Sequence, residues 1–224
     1  MIRFNAILVK TRLVSGLILM AYVVSHLLNH GLGVFGLGAM EWFRSTIFLP
    51  FWRDNFFMFW VLLLALSFHP IAALARFGAR KSIRGMARDE WVQLVFGLLI
   101  PIFLIYHLIG TRYANALFGF QDTYGAVLVS AWSPDHLSPL LIMTTLAWGH
   151  GCIGFRRFAL LRPWFPRART ALTGLAVGLP LFAVCGIVAA GREAQAIAHA
   201  HPAWVSEIFR SAVAAGISAE WIDE

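Results

Sequence analysis

Five of the eight histidines interrupt long apolar runs: His26 and His30 in the first, then His69, His107 and His150, one in each of the next three. An imidazole among leucines can ligate a metal, relay a proton or hydrogen-bond to a neighbouring helix. Left without a partner in an apolar medium it is expensive, so each of these side chains should be holding something. From His26 the intervals to the next three are 43, 38 and 43 residues, one long helix plus a loop each time. Each run therefore contributes one imidazole, with His30 in excess.

The runs that carry them belong to a chain of 224 residues that is 59% hydrophobic and 13% charged, with a mean hydropathy of +0.73. A soluble domain carries about 25% charged residues. The composition predicts an all-α integral membrane protein. Five spans are expected, each long enough for a hydrocarbon core of about 30 Å: Leu13 to Phe35, Asn55 to Phe77, Trp91 to Tyr113, Leu137 to Phe158 and Ala171 to Gly191. They should be helices, because backbone groups in lipid must be bonded within their own segment unless a barrel closes. The first run is too long for a cleavable signal peptide. Cys152 and Cys185 fall inside apolar runs, so neither a disulfide framework nor a zinc site is suggested.

Basic residues set the expected orientation. Thirteen of the 18 Lys and Arg residues precede span one or lie at or beyond the ends of spans two and four, which makes that side cytoplasmic. The net charge of +7 is then a topological signal, with no nucleic-acid partner implied and membrane lipid as the surroundings. The opposite loops, with FLPFW and LFGFQDTYGAVLVSAW, resemble segments that lie in the membrane interface. Residues 1–191 are expected to form the bundle, and 192–224 an outer-face tail that leads to a further helix in a longer protein. Within the tail, AWVSEIFRSAVAAG has the pattern of a short amphipathic surface helix. No internal repeat, low-complexity tract or soluble domain is read from the chain.

Depth pairs the histidines. His69 and His150 each lie eight residues before the cytoplasmic ends of their spans, about 12 Å in at 1.5 Å per residue. His107 lies six residues from the outer end of span three, about 9 Å in. If span one stops near Gly31 and Gly33, His26 reaches the same level. Two facing imidazoles at each of two depths make two bis-histidine sites, and paired histidines are an axial set for b-type haem. The expected cofactors are two b haems, one held by His26 and His107 and one by His69 and His150. Gly97 and Gly110, around His107 in sequence, and Gly149 and Gly151, around His150, supply room. Ser25 and Asn29 could hold imidazole or propionate groups, and His30 is either a neighbour of the ligand or the ligand itself. Interhelical hydrogen bonds without cofactor, a zinc or copper site and a proton relay are the competing readings. No depth gathers three or four metal ligands, and the spans hold almost no Asp or Glu for a relay. His136, His199 and His201 lie in outer loops.

The run RLVSGLILMAYVVSHLLNHGLG resembles the first helix of the dihaem cytochrome b anchors of succinate dehydrogenases and quinol:fumarate reductases. More closely, HLLNHGLGVFGLGAMEWFR, the Q-L-x-x-G-L-L-I-P run ending in HLIGTR, and WGHGCIGFRRFALLRPWFPR resemble the membrane anchor of a group of bacterial class III adenylate cyclases. That resemblance implies a multi-pass protein of the bacterial inner membrane with a cytoplasmic N-terminus. It also implies two b haems on His26, His69, His107 and His150, with His26 favoured over His30. The function implied is redox sensing of the quinone pool, relayed to fused or associated cyclase and ferredoxin-like domains in a homodimer. The family anchor has six helices, so the sixth is absent from these five spans, and no cluster-binding cysteines or cyclase aspartates follow. The alternative is the anchor subunit of a succinate dehydrogenase- or fumarate reductase-type enzyme. A quinone or quinol site is expected at the outer face, from Glu41, Arg44 and Arg112 beside the aromatic loops, with Glu41 as proton partner.

Overall fold

The computed structural model describes residues 2–80, 82 and 84–214, and among these every regular element is helical. Ten α-helices follow in chain order: α1 (Ile2–Gly31), α2 (Leu37–Phe43), α3 (Leu49–Trp52), α4 (Phe56–Gly78), α5 (Arg88–Leu108), α6 (Ala114–Phe118), α7 (Tyr124–Ser130), α8 (Pro134–Ala159), α9 (Phe165–Ala200) and α10 (Pro202–Ala214). Local chemistry starts and stops them. Asn55 caps α4 by accepting from Met58 N at 3.0 Å, and Ser133 caps α8 ahead of Pro134, whose missing N–H costs nothing at that position. Glu90 reaches back to Ala87 N at the start of α5. α1 ends at Gly31, tightens into a 3-10 turn over Leu32–Phe35, and turns away at Gly36, whose φ of 104° only glycine adopts without strain.

Four segments are long and apolar enough to cross a membrane: Ala6–Phe35, Phe56–Gly78, Arg88–Phe118 and Phe165–Ala200. Each covers one of the expected spans, the second all but its first residue, Asn55, which caps α4. The fifth, α8, matches them in length at 26 residues but is less apolar, because it carries Asp135, two threonines, two histidines and two arginines. Large apolar side chains point outward all round the long helices, with Phe56 80% and Ile102 63% exposed, as lipid-facing residues would be.

The long helices pack as two antiparallel pairs, α1 with α4 and α5 with α8, and α9 lies against α1. The two pairs touch through α1 and α8, whereas α1 and α5, and α4 and α8, do not pack closely, which leaves a seam between those faces. Leu27, Trp148, Leu179 and Ala183 form the core where α1, α8 and α9 meet. One end of the bundle, hereafter the capped end, carries α2, α3, α6, α7 and α10. The other carries Arg76, Arg80, Arg84, Arg88, Arg156, Arg157, Arg162, Arg167 and Arg169, and is the basic end. There Arg157 ties α8 to the start of α5 through Asp89 at 2.9 Å and Glu90 at 3.1 Å.

The tail differs from its expected form. There is no break at Gly191: α9 runs on to Ala200, and its 36 residues extend about 54 Å. α10 is a helix as its pattern predicts, but it docks on the cap, with Ile208 buried against Phe120 and Ala126. The last ten residues of the expected tail lie outside the described residues.

Candidate functional site

At the basic end the His69 and His150 rings stand 6.0 Å apart between centroids, and at the capped end His26 and His107 stand 6.2 Å apart. Both pairs reach across the seam between the helix pairs. A metal bound to two imidazole nitrogens at about 2.0 Å each spaces the ring centroids roughly 6 Å apart. Among the described residues no group of three or more His, Cys, Asp or Glu is arranged to hold a metal ion. Each facing pair therefore offers two protein nitrogens, the number that an axial pair needs.

The basic-end imidazoles are set by their neighbours. His150 Nδ1 donates to the Gln93 carbonyl at 2.8 Å, and His69 Nδ1 to the Arg12 carbonyl at 3.1 Å. A carbonyl can only accept, so both rings must carry their proton on Nδ1. Ser15 gives its own hydrogen to the Thr11 carbonyl and faces His69 Nδ1 at 3.2 Å as a second acceptor. Nε2 of each ring is left with its lone pair, the form in which histidine binds a metal with its other nitrogen held by a carbonyl. Glycine makes the approach possible: a Cβ on Gly16 would stand 3.0 Å from His69 Cε1, and one on Gly97 2.9 Å from His150 Cε1. Gly97 thus serves His150 and not His107, its neighbour in sequence. Gly110 has nothing within 4 Å, while Gly149 and Gly151 admit Phe96 and Met20.

The capped end is built differently. His26 stacks on Tyr22 and lies beside Phe48, while its Nε2 shares a 3.2 Å hydrogen bond with His30 Nε2. Ser25 accepts from Trp52 Nε1 at 2.9 Å, which closes α3 over the pair. Asn29 is fully buried and donates to the Tyr124 hydroxyl at 3.0 Å. Burial raises the Tyr124 phenol above its ordinary pKa and keeps it protonated. His107 precedes a stretch of π-type winding, Ile109–Tyr113, and Thr111 hydrogen-bonds back to its carbonyl at 2.7 Å. His26 Nδ1, His30 Nδ1, His107 Nδ1 and Asn29 Oδ1 are buried without a partner, and they are the buried side-chain atoms of this kind among the described residues. All four lie at this one level. Unpaired buried polar atoms are costly, so this cluster is the least satisfied place among the described residues.

Of the expected quinone residues, Glu41 and Arg44 come together, and among the described residues no ion pair joins Arg112 to them. Arg44 bonds Glu41 Oε1 and Asp122 Oδ1, each at 2.6 Å, and Arg53 reaches Asp122 Oδ2 at 3.2 Å. The other Glu41 oxygen accepts from Tyr124 N at 2.8 Å. Glu41 is thus a strut joining α2 to α7, with both oxygens committed. Replacing the mostly buried Arg44 by Met leaves Glu41 without its cation and Asp122 with Arg53 alone, and should cost about 2 kcal/mol. Thermal unfolding in detergent measures it, and an unchanged midpoint would show that the network carries no load.

The two histidine levels share a plan that the intervals already contain. Arg12 and Gln93, Gly16 and Gly97, His26 and His107, and His69 and His150 are each 81 residues apart. Both imidazole–carbonyl bonds span 57 residues. RLVSGLILMAYVVSHLL and QLVFGLLIPIFLIYHLI, 12–28 and 93–109, agree at six positions including the glycine and the histidine. The chain therefore does hold an internal repeat, α1 to α4 and α5 to α8, running in the same direction. His26 with His107 and His69 with His150 are equivalent residues of the two halves that also stand beside one another. His30 has Thr111 at its equivalent position, so only His26 belongs to a symmetric pair. Compared with known proteins, the chain matches no family model, no curated protein and no solved structure.

Proposed function

We propose that this chain is a haem b-binding membrane anchor that holds two haems one above the other and conveys the redox state of the membrane to an attached partner. The observation that carries the reading is the pair of imidazole couples, 6.0 and 6.2 Å between centroids, facing across a seam at two levels. His69 and His150 would hold one haem and His26 and His107 the other. Bound there, haem supplies a one-electron carrier at each level. The protein's part is to hold Nδ1 of His69 and His150 on backbone carbonyls and to exclude water with Tyr22, Phe48 and Trp52 at the capped end. Gly16 and Gly97 keep the two basic-end rings close to the helices beside them.

Four long apolar helices support a membrane setting, and α8 counts as the fifth crossing because it pairs with α5 along its length. The arginine-rich end then faces the cytoplasm. The resemblance of the three long motifs to cyclase anchors supports a fused or associated adenylate cyclase as receiver, with quinol as the electron source. A quinol head at the capped end would have to leave Glu41 to its ion pair, and Arg112 would be the remaining cation of the expected set. A pyridine haemochrome assay on the purified chain tests the central claim. Two b haems per chain are expected; one or none would overturn the reading.

A further inference from the structure

The two levels differ in readiness. At the basic end each Nδ1 proton is already committed to a carbonyl acceptor, so both Nε2 lone pairs stand free. Nothing has to break before a metal is bound. At the capped end His26 Nε2 is engaged by His30 Nε2, and three ring nitrogens have no partner at all. One nitrogen cannot hold a hydrogen bond with His30 and a metal at once.

We propose that His30 is a competitor built into the capped-end site: it occupies the metal-binding nitrogen of His26, so the basic-end site fills first and the capped-end site is the weaker, exchangeable one. This rests on the reading of both pairs as haem sites. Two independent observations support it. The repeat places Thr111 where a second His30 would be, so His30 is an addition to one half and not part of the symmetric ligand set. Its ring is also wedged in place, 4.4 Å from His26 and 5.4 Å from Tyr124 between centroids. Its carbonyl lies against Gly186 of α9. A side chain held on two sides keeps contact with His26 unless something displaces it. The fully buried Asn29, bonded to the same Tyr124, offers an unpartnered carbonyl oxygen beside it.

The test is a haem titration of the apoprotein in detergent, followed by the low-spin absorption bands. Wild type should fill in two phases, the tighter one lost in His69→Leu and the weaker one lost in His107→Leu. His30→Phe keeps a ring and removes its nitrogens, and should tighten the weaker phase about two- to tenfold, the worth of one hydrogen bond. His30→Leu should act in the same direction, and an unchanged tight phase in both variants shows that the bundle is folded. A weaker phase that is unchanged, weakened or lost in both variants overturns the proposal, as does a wild-type chain whose capped end fills first. A wild-type chain that takes up no haem overturns the functional reading itself.

Discussion

Leucine in place of His69 or His150 is expected to remove one low-spin haem signal and leave the other at full strength. Leucine at His26 or His107 should remove the other signal instead. Four single substitutions should therefore sort into two classes, and the classes should follow the pairing across the seam, not order in the chain. Leucine fills most of the volume of the ring, so the helices keep their packing while the ligand is lost. Each remaining partner is still held where it was: His150 by the Gln93 carbonyl and Gly97, His69 by the Arg12 carbonyl and Gly16. The two levels are also far apart along the bundle. Gly16 marks one level on α1 and His26 the other, ten residues on, or about 15 Å. Redox difference spectra with electron paramagnetic resonance would read the outcome. A variant at either level that lost both signals, or a grouping of His26 with His69, would show that the pairs are not the units described.

Much of this was legible in the residues because membranes impose a simple grammar. Helix length, apolar content and the place of a histidine within its span fix depth, and depth alone pairs His69 with His150. Rotation about a helix is harder to read. Gly97 stands ten residues before His107 in the chain, yet it lies under His150, because a residue on one helix makes room for the ring of the helix beside it. The same holds for the Arg12 and Gln93 carbonyls, which no side-chain pattern announces. The repeat was hidden by the cap: the matched stretches 12–69 and 93–150 carry loops of unlike sequence, and only the constant offset of 81 residues exposes them. Glu41 has the residue type of a proton partner, but only its contacts show a carboxylate with both oxygens occupied. The docking of α10 depended on which apolar surface the folded loops would offer. That surface exists only after the cap has formed.

Gly186→Leu should be the most disruptive single change in the bundle, and Gly178→Leu, two turns earlier on the same helix, close to neutral. A Cβ on Gly186 would overlap the His30 carbonyl oxygen and stand 2.8 Å from that of Gly31, while one on Gly33 would overlap the Gly186 carbonyl. α1 and α9 thus touch backbone to backbone, the close approach that small residues permit between helices in lipid. A flexible side chain could swing away from a new methyl group, but a carbonyl inside a helix can only move with its helix. Overpacking of a core commonly costs about 1–3 kcal/mol, and here the relief must come from separating two long helices, so the cost should exceed that range. Gly178 has nothing within 4 Å, and its change should stay within about 0.5 kcal/mol. The damage should also be local in a telling way. His30 and Gly31 sit at the crossing, so the capped-end pair should fail first, while His69 and His150 rest on α1 and α5 well below it. The measurement is the yield of folded protein in detergent together with the two low-spin signals for both variants. A Gly186→Leu chain with wild-type stability and both signals intact would mean that α1 and α9 do not cross as described.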